Sequence, residues 1–585
     1  MKKIYLLAAS ALMTFGLASC DIDNVENFGE LSAENFPASD IDGEATLAGV
    51  YQNLNQTHAT PQQSFLHNAC LASDDQLGGG GDNDKLMQAQ DLILNSGADM
   101  TNQFYIDRYA GINRANMLIQ ALPNTSMSED IKAQYLGEAL FLRAFYYYEL
   151  SSMYGNVPLR TVAGGETMQQ GDIEDIWKQI LQDLRDAIEM MPAKKSTSAG
   201  HIDKYAAEAM LGRAWLFYTG FFCNGSTIAD LTSTSYNPLI TVDLPDGTTL
   251  TKQDVIAYID DCVNNSGYSL VSDFRNLWAY TNRTTVEDYD YTKGQGLKWA
   301  EDDNGDNPES LFAIKFNKFA TWSTTIGYAN GIALYFGVRG GGTSDSTFFP
   351  FGAGWGAGPV APNLVKDWVT QEPNDMRRDA TIQDWLTLNP SFPLGGGDGY
   401  VQETGYYSKK WSPIQARKDD GSIVCCFENL MYPGNWDTAG PENMQLNNIH
   451  DLVLIRFADV LLMQSELKED VAGINKVRAR AGLDPIAAYS LAALQNERRW
   501  ELACEGIRWN DLRRWHIAAT ALAKQENQIV YHNGVEETNA PHNGGYAARY
   551  NATAGFQKMP DTQIAIGTVV QNEGWTGSDS EYQAW

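Results

Sequence analysis

Positive charge is in short supply: 42 Lys and Arg stand against 73 Asp and Glu in 585 residues, a formal net charge of −31. A surface so negative repels nucleic acid and anionic lipid headgroups, which argues against a nucleic-acid partner and favours neutral or cationic ones. Cysteine is equally sparse. After Cys20 there remain Cys70, Cys223, Cys262, Cys425, Cys426 and Cys504, with no Cys-x-x-Cys among them. Adjacent Cys425 and Cys426 suit zinc poorly, and so large a chain indicates no disulfide framework. The seven His are scattered without metal-ligand pairing, and no G-x-S-x-G, H-E-x-x-H or P-loop occurs. "GAGWGA" (352–357) formally fits G-x-G-x-x-A, but Gly358-Pro359 follows it where a dinucleotide site needs a helix. Catalysis, a resident metal and a cofactor therefore find no support. The acidic stretch "EDDNGDN" (301–307) has oxygen ligands for Ca²⁺, yet it misses the twelve-residue EF-hand register and reads as a solvated turn.

Long apolar runs are missing too, except at the start. Met1-Lys2-Lys3 and the run from Ile4 to Leu17 have the form of a secretory signal, too short to span a bilayer. Leu17-Ala18-Ser19-Cys20 resembles a bacterial lipobox, which predicts cleavage before Cys20 and a lipid on its thiol. Later, "LVLIRFADVLLM" is interrupted by Arg456 and Asp459, so it does not read as a membrane span. The expectation is a tethered, exported chain.

What is present is helical periodicity. Ser126-Met127-Ser128-Glu129 reads as a capping-box start for a helix reaching Tyr154. Further helices are expected from Ile173 to Met190, from Asp203 to Phe217, and from Thr251-Lys252-Gln253-Asp254 onward. "EALFLRAFYYYEL" (138–150) aligns without gaps on "EAMLGRAWLFYTG" (208–220), pairing Glu138 with Glu208, Arg143 with Arg213 and Tyr148 with Tyr218. The offset is close to two tetratricopeptide lengths, each repeat being two antiparallel helices. From about 222 to 445 the periodicity fades into Gly, Asn, Thr, Trp and Tyr, a loop-rich texture that suits binding residues on a rigid scaffold. Helices resume at 451–467.

"NERRWELACEGIRWNDLRRW" (496–515) concentrates Arg498, Arg499, Arg508, Arg513 and Arg514 against Glu497, Glu501, Glu505 and Asp511. The local charge nearly cancels, so the stretch is no basic patch. Its glutamates stack at helical spacing and its three Trp offer faces for Arg, which favours architecture over a site.

This stretch resembles the C-terminal signature of the SusD/RagB family of outer-membrane nutrient-binding lipoproteins. The other family landmarks follow in order: "DRYAGINRANMLI" (107–119), "EALFLRAFYYYELSSMYGNVPL" (138–159), "HIDKYAAEAMLGRAWLFYTG" (201–220), "LVLIRFADVLLMQSE" (452–466) and "FQKMPDTQIAIGTVVQNEGW" (556–575). One departure is Lys558-Met559-Pro560, where the family often has a second proline. The resemblance implies a mainly α fold: about four tetratricopeptide-like helix pairs, a loop-rich ligand-binding region and few short strands. It divides the chain into a signal (1–19), a lipidated tether (20–43), an N-terminal helical scaffold (44–221), a loop-rich region (222–445) with one helix-pair member near 251–265, a C-terminal helical repeat (446–523) and an irregular tail (524–585). "DIDNVE" after Cys20 resembles the surface-export signals of such lipoproteins. The implied role is non-catalytic capture of a glycan at the outer-membrane surface, with delivery to a SusC-like TonB-dependent transporter. Peptide capture within the same family, an all-helical glycoside hydrolase and a purely structural subunit are the alternatives.

Sugar rings stack their C–H faces on aromatic side chains, while their hydroxyls need amides and carboxylates. The irregular region supplies Trp278, Tyr280, Tyr289, Tyr291, Trp299, Trp322, Trp355 and Trp436. Trp299 and Trp322 fall where relatives place a stacking platform, and Tyr289 and Tyr291 lie in the adjoining "EDYDY". Trp355 sits among glycines ahead of "APNLVKDW". Trp278 and Tyr280 coincide with a structural aromatic of the family. The loop "SDDQLGGGGDND" (73–84) corresponds to one that reaches the ligand in relatives, and has only Asp82 and Asn83 to offer as hydrogen-bond partners.

Overall fold

The computed structural model describes residues 39–58, 64–81, 84–93, 101–165, 169–195, 200–301, 307–316, 330–339, 348–352, 354–388, 394, 402–424, 448–540 and 544–575. Cys20 and most of the expected tether lie outside them.

The scaffold is a row of helices: α1 Asp40–Tyr51, α2 Asn102–Ala121, α3 Glu129–Tyr154, α4 Ile173–Met190, α5 Lys204–Phe221 and α6 Lys252–Asn265. From α2 onward each packs on the next. Their starts are chemically local. Asp172 caps α4 by accepting from Glu174 N at 2.9 Å, and Asp203 caps α5 from Ala206 N at 2.8 Å. Thr251 and Asp254 form the reciprocal capping box of α6. The expected box at Ser126 does not form: Ser128 is the N-cap of α3, with no side-chain bond, and Glu129 and Asp130 instead favour the positive helix end. α4 buries one stripe (Ile173, Ile176, Trp177, Ile180, Leu184), as an amphipathic helix should. α3 is buried on all sides from Gly137 to Tyr154, because neighbours cover both its faces.

After α6 the chain leaves the row and passes through α7, Gly331–Phe336. It returns as α8 Phe457–Lys468, α9 Ala472–Arg480, α10 Leu491–Glu501 and α11 Arg508–Arg514. α8 packs directly on α6, so the C-terminal helices extend the same stack. The aligned arginines keep their equivalence in space. Arg143 grips Asp183 on α4 with bonds of 2.6 and 2.7 Å, and Arg213 reaches Asp459 on α8 at 2.6 Å. The aligned tyrosines diverge: Tyr148 accepts from Asn510, while Tyr218 donates to Glu174. The tail expected to be irregular holds a hairpin of Ile529–His532 with Val535–Thr538 and a helix at Tyr546–Thr553. The hairpin is held by pairing with Gln402 and Glu403, and the helix end by Arg513 Nε donating to Ala554 O at 3.1 Å, partners that elements so short do not announce in sequence.

Between the scaffold and the loop-rich part lies a buried ionic joint. Strand β1 (Ser310–Ile314) pairs antiparallel with β2 (Leu452–Arg456). At their end Arg456 donates to Glu309 (2.8 Å), Glu501 (2.5 Å) and Glu505 (2.8 Å). Glu501 also accepts from Arg377 at 2.9 Å and from Arg480. Glu497 takes Arg377 and Arg478, and Lys410 takes Glu505 at 2.6 Å. Burial opposes ionisation of Glu501, but the guanidiniums of Arg480, Arg456 and Arg377 hold its carboxyl well below the usual range. Glu505 does not continue the helical stack expected of it. α10 ends at Glu501 and the chain turns through Cys504 and Gly506, both at positive φ, which swings Glu505 toward Arg456.

Asp74 and Asp75 complete the arrangement. Both are 1% exposed and meet Arg499 at 3.1 and 2.9 Å, and Asp74 also accepts from Arg508 at 2.7 Å. Residues 73–80 of that loop are thus buried. The three Trp of the signature serve as expected: Arg499 lies over Trp500, Arg513 over Trp509 and Arg514 over Trp515.

One ion pair makes stability depend on pH near neutrality. His201 lies between Glu138 of α3 (Nδ1 to Oε2, 2.9 Å) and Glu44 of α1 (Nε2 to Oε1, 3.2 Å). The bond to Glu138 lifts the ring to about 9 against partial burial, with Glu44 adding to it. Since the folded value exceeds the ordinary 6.5, the gain is complete below pH 6.5 and is lost as pH rises toward 9. With solvent screening of this half-exposed ring, the loss is of order 1 kcal/mol. Urea midpoints of the wild type should fall across that window more than those of His201→Gln; parallel curves would exclude the pair as the source.

Candidate functional site

Among the described residues Trp355 is the only aromatic in the exposed class, at 37%. Its loop is laced to the end of α7 by backbone bonds: Gly354 N to Val338 O (2.9 Å), Trp355 N to Leu334 O (3.0 Å), Gly356 N to Gly337 O (2.8 Å) and Ala357 N to Tyr335 O (2.8 Å). The glycines permit this. Gly356 has φ of +75°, and opposite it Gly79 has φ of +80°, with a Cβ there falling 2.2 Å from Gly356 O. Two backbones therefore touch where side chains would collide, and Trp355 is left standing outward between glycines on a fixed base. Arg339 Nη1 donates to Trp355 O at 3.3 Å, which ties the loop backbone once more. The lone Arg of "GVRGGG" was the signal for it in the sequence, and sequence reasoning passed over it.

The other expected aromatics gather in a second place. Tyr289 and Tyr291 are half-buried with ring centroids 5.7 Å apart. Lys409 Nζ stands 4.2 Å from the Tyr291 centroid and donates to Asp379 O at 2.6 Å. Burial pushes its amine down to about 7. Sequence reasoning also missed this lysine, since only the fold brings "KKW" against "YDY". Trp299 is 8% exposed and packs with Phe274, Trp278, Tyr280 and Phe351 in a satellite core. Its amide bonds to Thr281 O at 3.0 Å, which ties it inward, so the open face expected of it is taken up by packing. Trp278 and Tyr280 are structural, as expected, at 6% and 0% exposure. Phe351 joins the two places: its ring lies 5.9 Å from Tyr289, and four residues later the chain reaches Trp355.

Trp322, Trp436, Asp82 and Asn83 lie outside the described residues. So do residues 302–306 of the acidic turn, whose Asn307 Oδ1 accepts from Glu309 N at 2.9 Å. No group of three His, Cys, Asp or Glu fit to hold a metal occurs among the described residues. Two surface clefts, of about 450 and 340 Å³, lie against the helical scaffold beside Asn156, Asp172 and Asn572 and beside Tyr236, Asn237 and Tyr489, without Trp355. Chemically, the exposed Trp355 ring provides an apolar platform of the kind that fits the C–H face of a sugar ring.

Comparison with known proteins bears on this surface. A family model described as "SusD family" matches residues 278–575, and one described as "Starch-binding associating with outer membrane" matches residues 27–216. "SusD-like protein P38" of Formosa agariphila is 22% identical over 567 residues, 89% of this chain and 94% of its own. Among solved structures, a "Laminarin binding SusD-like protein" superposes with a TM-score of 0.65 at 25% identity, covering 92% of this chain and 100% of its own. The Bacteroides thetaiotaomicron "Surface glycan-binding protein A", solved in complex with laminarihexaose, superposes with a TM-score of 0.62 at 18% identity, covering 92% and 100%.

Proposed function

Because the chain belongs to the SusD family, we propose that it is a surface glycan-binding lipoprotein that captures an oligo- or polysaccharide without cleaving it. The observation that carries this reading is Trp355, an exposed ring on a loop whose backbone is fixed on both sides. A platform already in place adds little ordering cost on binding, which suits capture from dilute solution. Tyr289, which meets Phe351 ahead of the Trp355 loop, and Tyr291, Trp322, Asp82 and Asn83 are proposed to join it. The names of relatives, which print laminarin and laminarihexaose as ligands, support a glucan among the candidates. Lipidation at Cys20 would tether the protein to the outer membrane, in keeping with the outer-membrane association in the matching family description. A SusC-like TonB-dependent transporter is the proposed receiver.

The test is native affinity electrophoresis of residues 21–585 through gels cast with laminarin and other polysaccharides, with product analysis of the same mixtures. Retardation by one glycan without new reducing ends is the expected result. New reducing ends would sink the non-catalytic reading. Retardation by no glycan, with binding of peptides that weakens in salt, would replace the glycan by a peptide.

A further inference from the structure

Cys223 is not buried like Cys70, Cys262 and Cys504, which are 2%, 0% and 3% exposed. It follows the C-terminus of α5 and is partly open to solvent. Its Sγ lies 3.5 Å from Nε2 of His516, which the turn after α11 holds at φ +57°. The surroundings of that ring bear on its charge. Nδ1 faces Ser233 O at 2.7 Å, and Nε2 faces Gly220 O at 3.0 Å. Carbonyl oxygens only accept, so the imidazolium, with a proton on each nitrogen, answers both, whereas a neutral ring would take the Cys223 S–H proton on Nε2 while facing Gly220 O.

The sulfur in turn receives a donor suited to an anion. That donor is Nε2 of His516, 3.5 Å away. We propose that Cys223 and His516 form a thiolate–imidazolium pair, a surface thiol that exchanges with low-molecular-weight disulfides. Burial is the largest single influence and works against the thiolate, but the bond and charge of His516 together with nearby backbone amides bring the thiol below its usual value. The α5 C-terminus and Ser235 O, 3.8 Å from the sulfur, oppose the anion. The other charged or titratable groups around the pair are otherwise engaged. Arg513 stands over Phe221 and Phe556, Arg514 is held by Glu466 and Asp511, Asp230 takes the Thr227 hydroxyl, and burial keeps Tyr236 neutral.

In the exchange, the thiolate attacks one sulfur of RS–SR. A new S–S bond forms to Cys223, the RS–SR bond breaks, and its electron pair leaves on RS⁻, which takes a proton from solvent. Cys223 is oxidised and one half of the disulfide is reduced. The buried cysteines differ: burial pushes their thiols up, that of Cys504 to about 12.

The test is site-resolved labelling of the whole chain by iodoacetamide from pH 5 to 10, read by peptide mass mapping, with glutathione disulfide as the exchange probe. The Cys223 rate should rise with a midpoint below the ordinary thiol value of about 8.5. At pH 6.5 it should exceed the rate of an unstructured peptide of the same sequence at least about tenfold, and a glutathione adduct should map to Cys223. A folded His516→Gln should move the midpoint up by about a unit or more, and Cys223→Ser should abolish the adduct. A wild-type midpoint at or above the ordinary value overturns the pair, and this reading needs no variant to fold. An unchanged midpoint in folded His516→Gln overturns it too, and the absence of any glutathione adduct overturns the exchange.

Discussion

Glu501→Ala is expected to destabilise the folded chain by roughly 3–5 kcal/mol, enough to leave much of it unfolded. Glu501 is 0% exposed and accepts from three guanidiniums, those of Arg377, Arg456 and Arg480. Removing it strands positive charge in a site that excludes water, and the uncompensated desolvation makes the loss large. The whole network need not be worth this much, since replacing every member by apolar groups of matched volume is often close to neutral. The asymmetry is the point of the experiment. Equilibrium urea unfolding compares Glu501→Ala with Glu129→Gln, which loses an exposed pair with Lys132 and should change stability by no more than about 0.5 kcal/mol. A Glu501 variant within about 1 kcal/mol of wild type would mean that the ionic joint is not what fastens the loop-rich part to the scaffold.

The second large effect is on binding. Trp355→Ala should weaken retention by the captured glycan by about thirtyfold or more, the scale of an aromatic hot spot losing about 2 kcal/mol. Trp355→Phe should retain part of it, because a smaller ring still offers a face. Stability should move by less than about 1 kcal/mol, since the side chain is exposed and the loop is held through its backbone. A folded Trp355→Ala that binds as well as wild type would transfer the platform to Tyr289 and Tyr291 or to Trp322. The measurement is affinity electrophoresis against whichever polysaccharide retards the wild type.

How legible these features were depends on how local their chemistry is. Asp203 and Thr251 marked helix starts correctly because a cap bonds to an amide three residues away. Ser126 misled, because the same pattern two residues early is indistinguishable in sequence. The arginine-rich signature read correctly as architecture from its balanced charge, yet its partners Arg377 and Asp74 stand more than a hundred residues away. No spacing rule reaches that far. Trp355 was recognisable by its glycine neighbours, whereas Trp299, expected at a stacking platform from the family resemblance, is covered by the packing of Phe274 and Phe351 around it. Exposure is a property of the fold, and a loop's residues do not carry it.

Asp74 and Asp75 lie near one end of the chain, and the cations that neutralise them, Arg499 and Arg508, lie near the other. Until Arg499 emerges, burying those carboxylates costs more than leaving them hydrated, so their loop gains nothing by closing early. The contact spans over 420 residues, a closure that sets a high topological order for the fold. In a chain built this way the neighbouring helices α2 to α6 can pair as they are made, while the loop carrying Asp74 and Asp75 waits for the last fifth of the sequence before it closes.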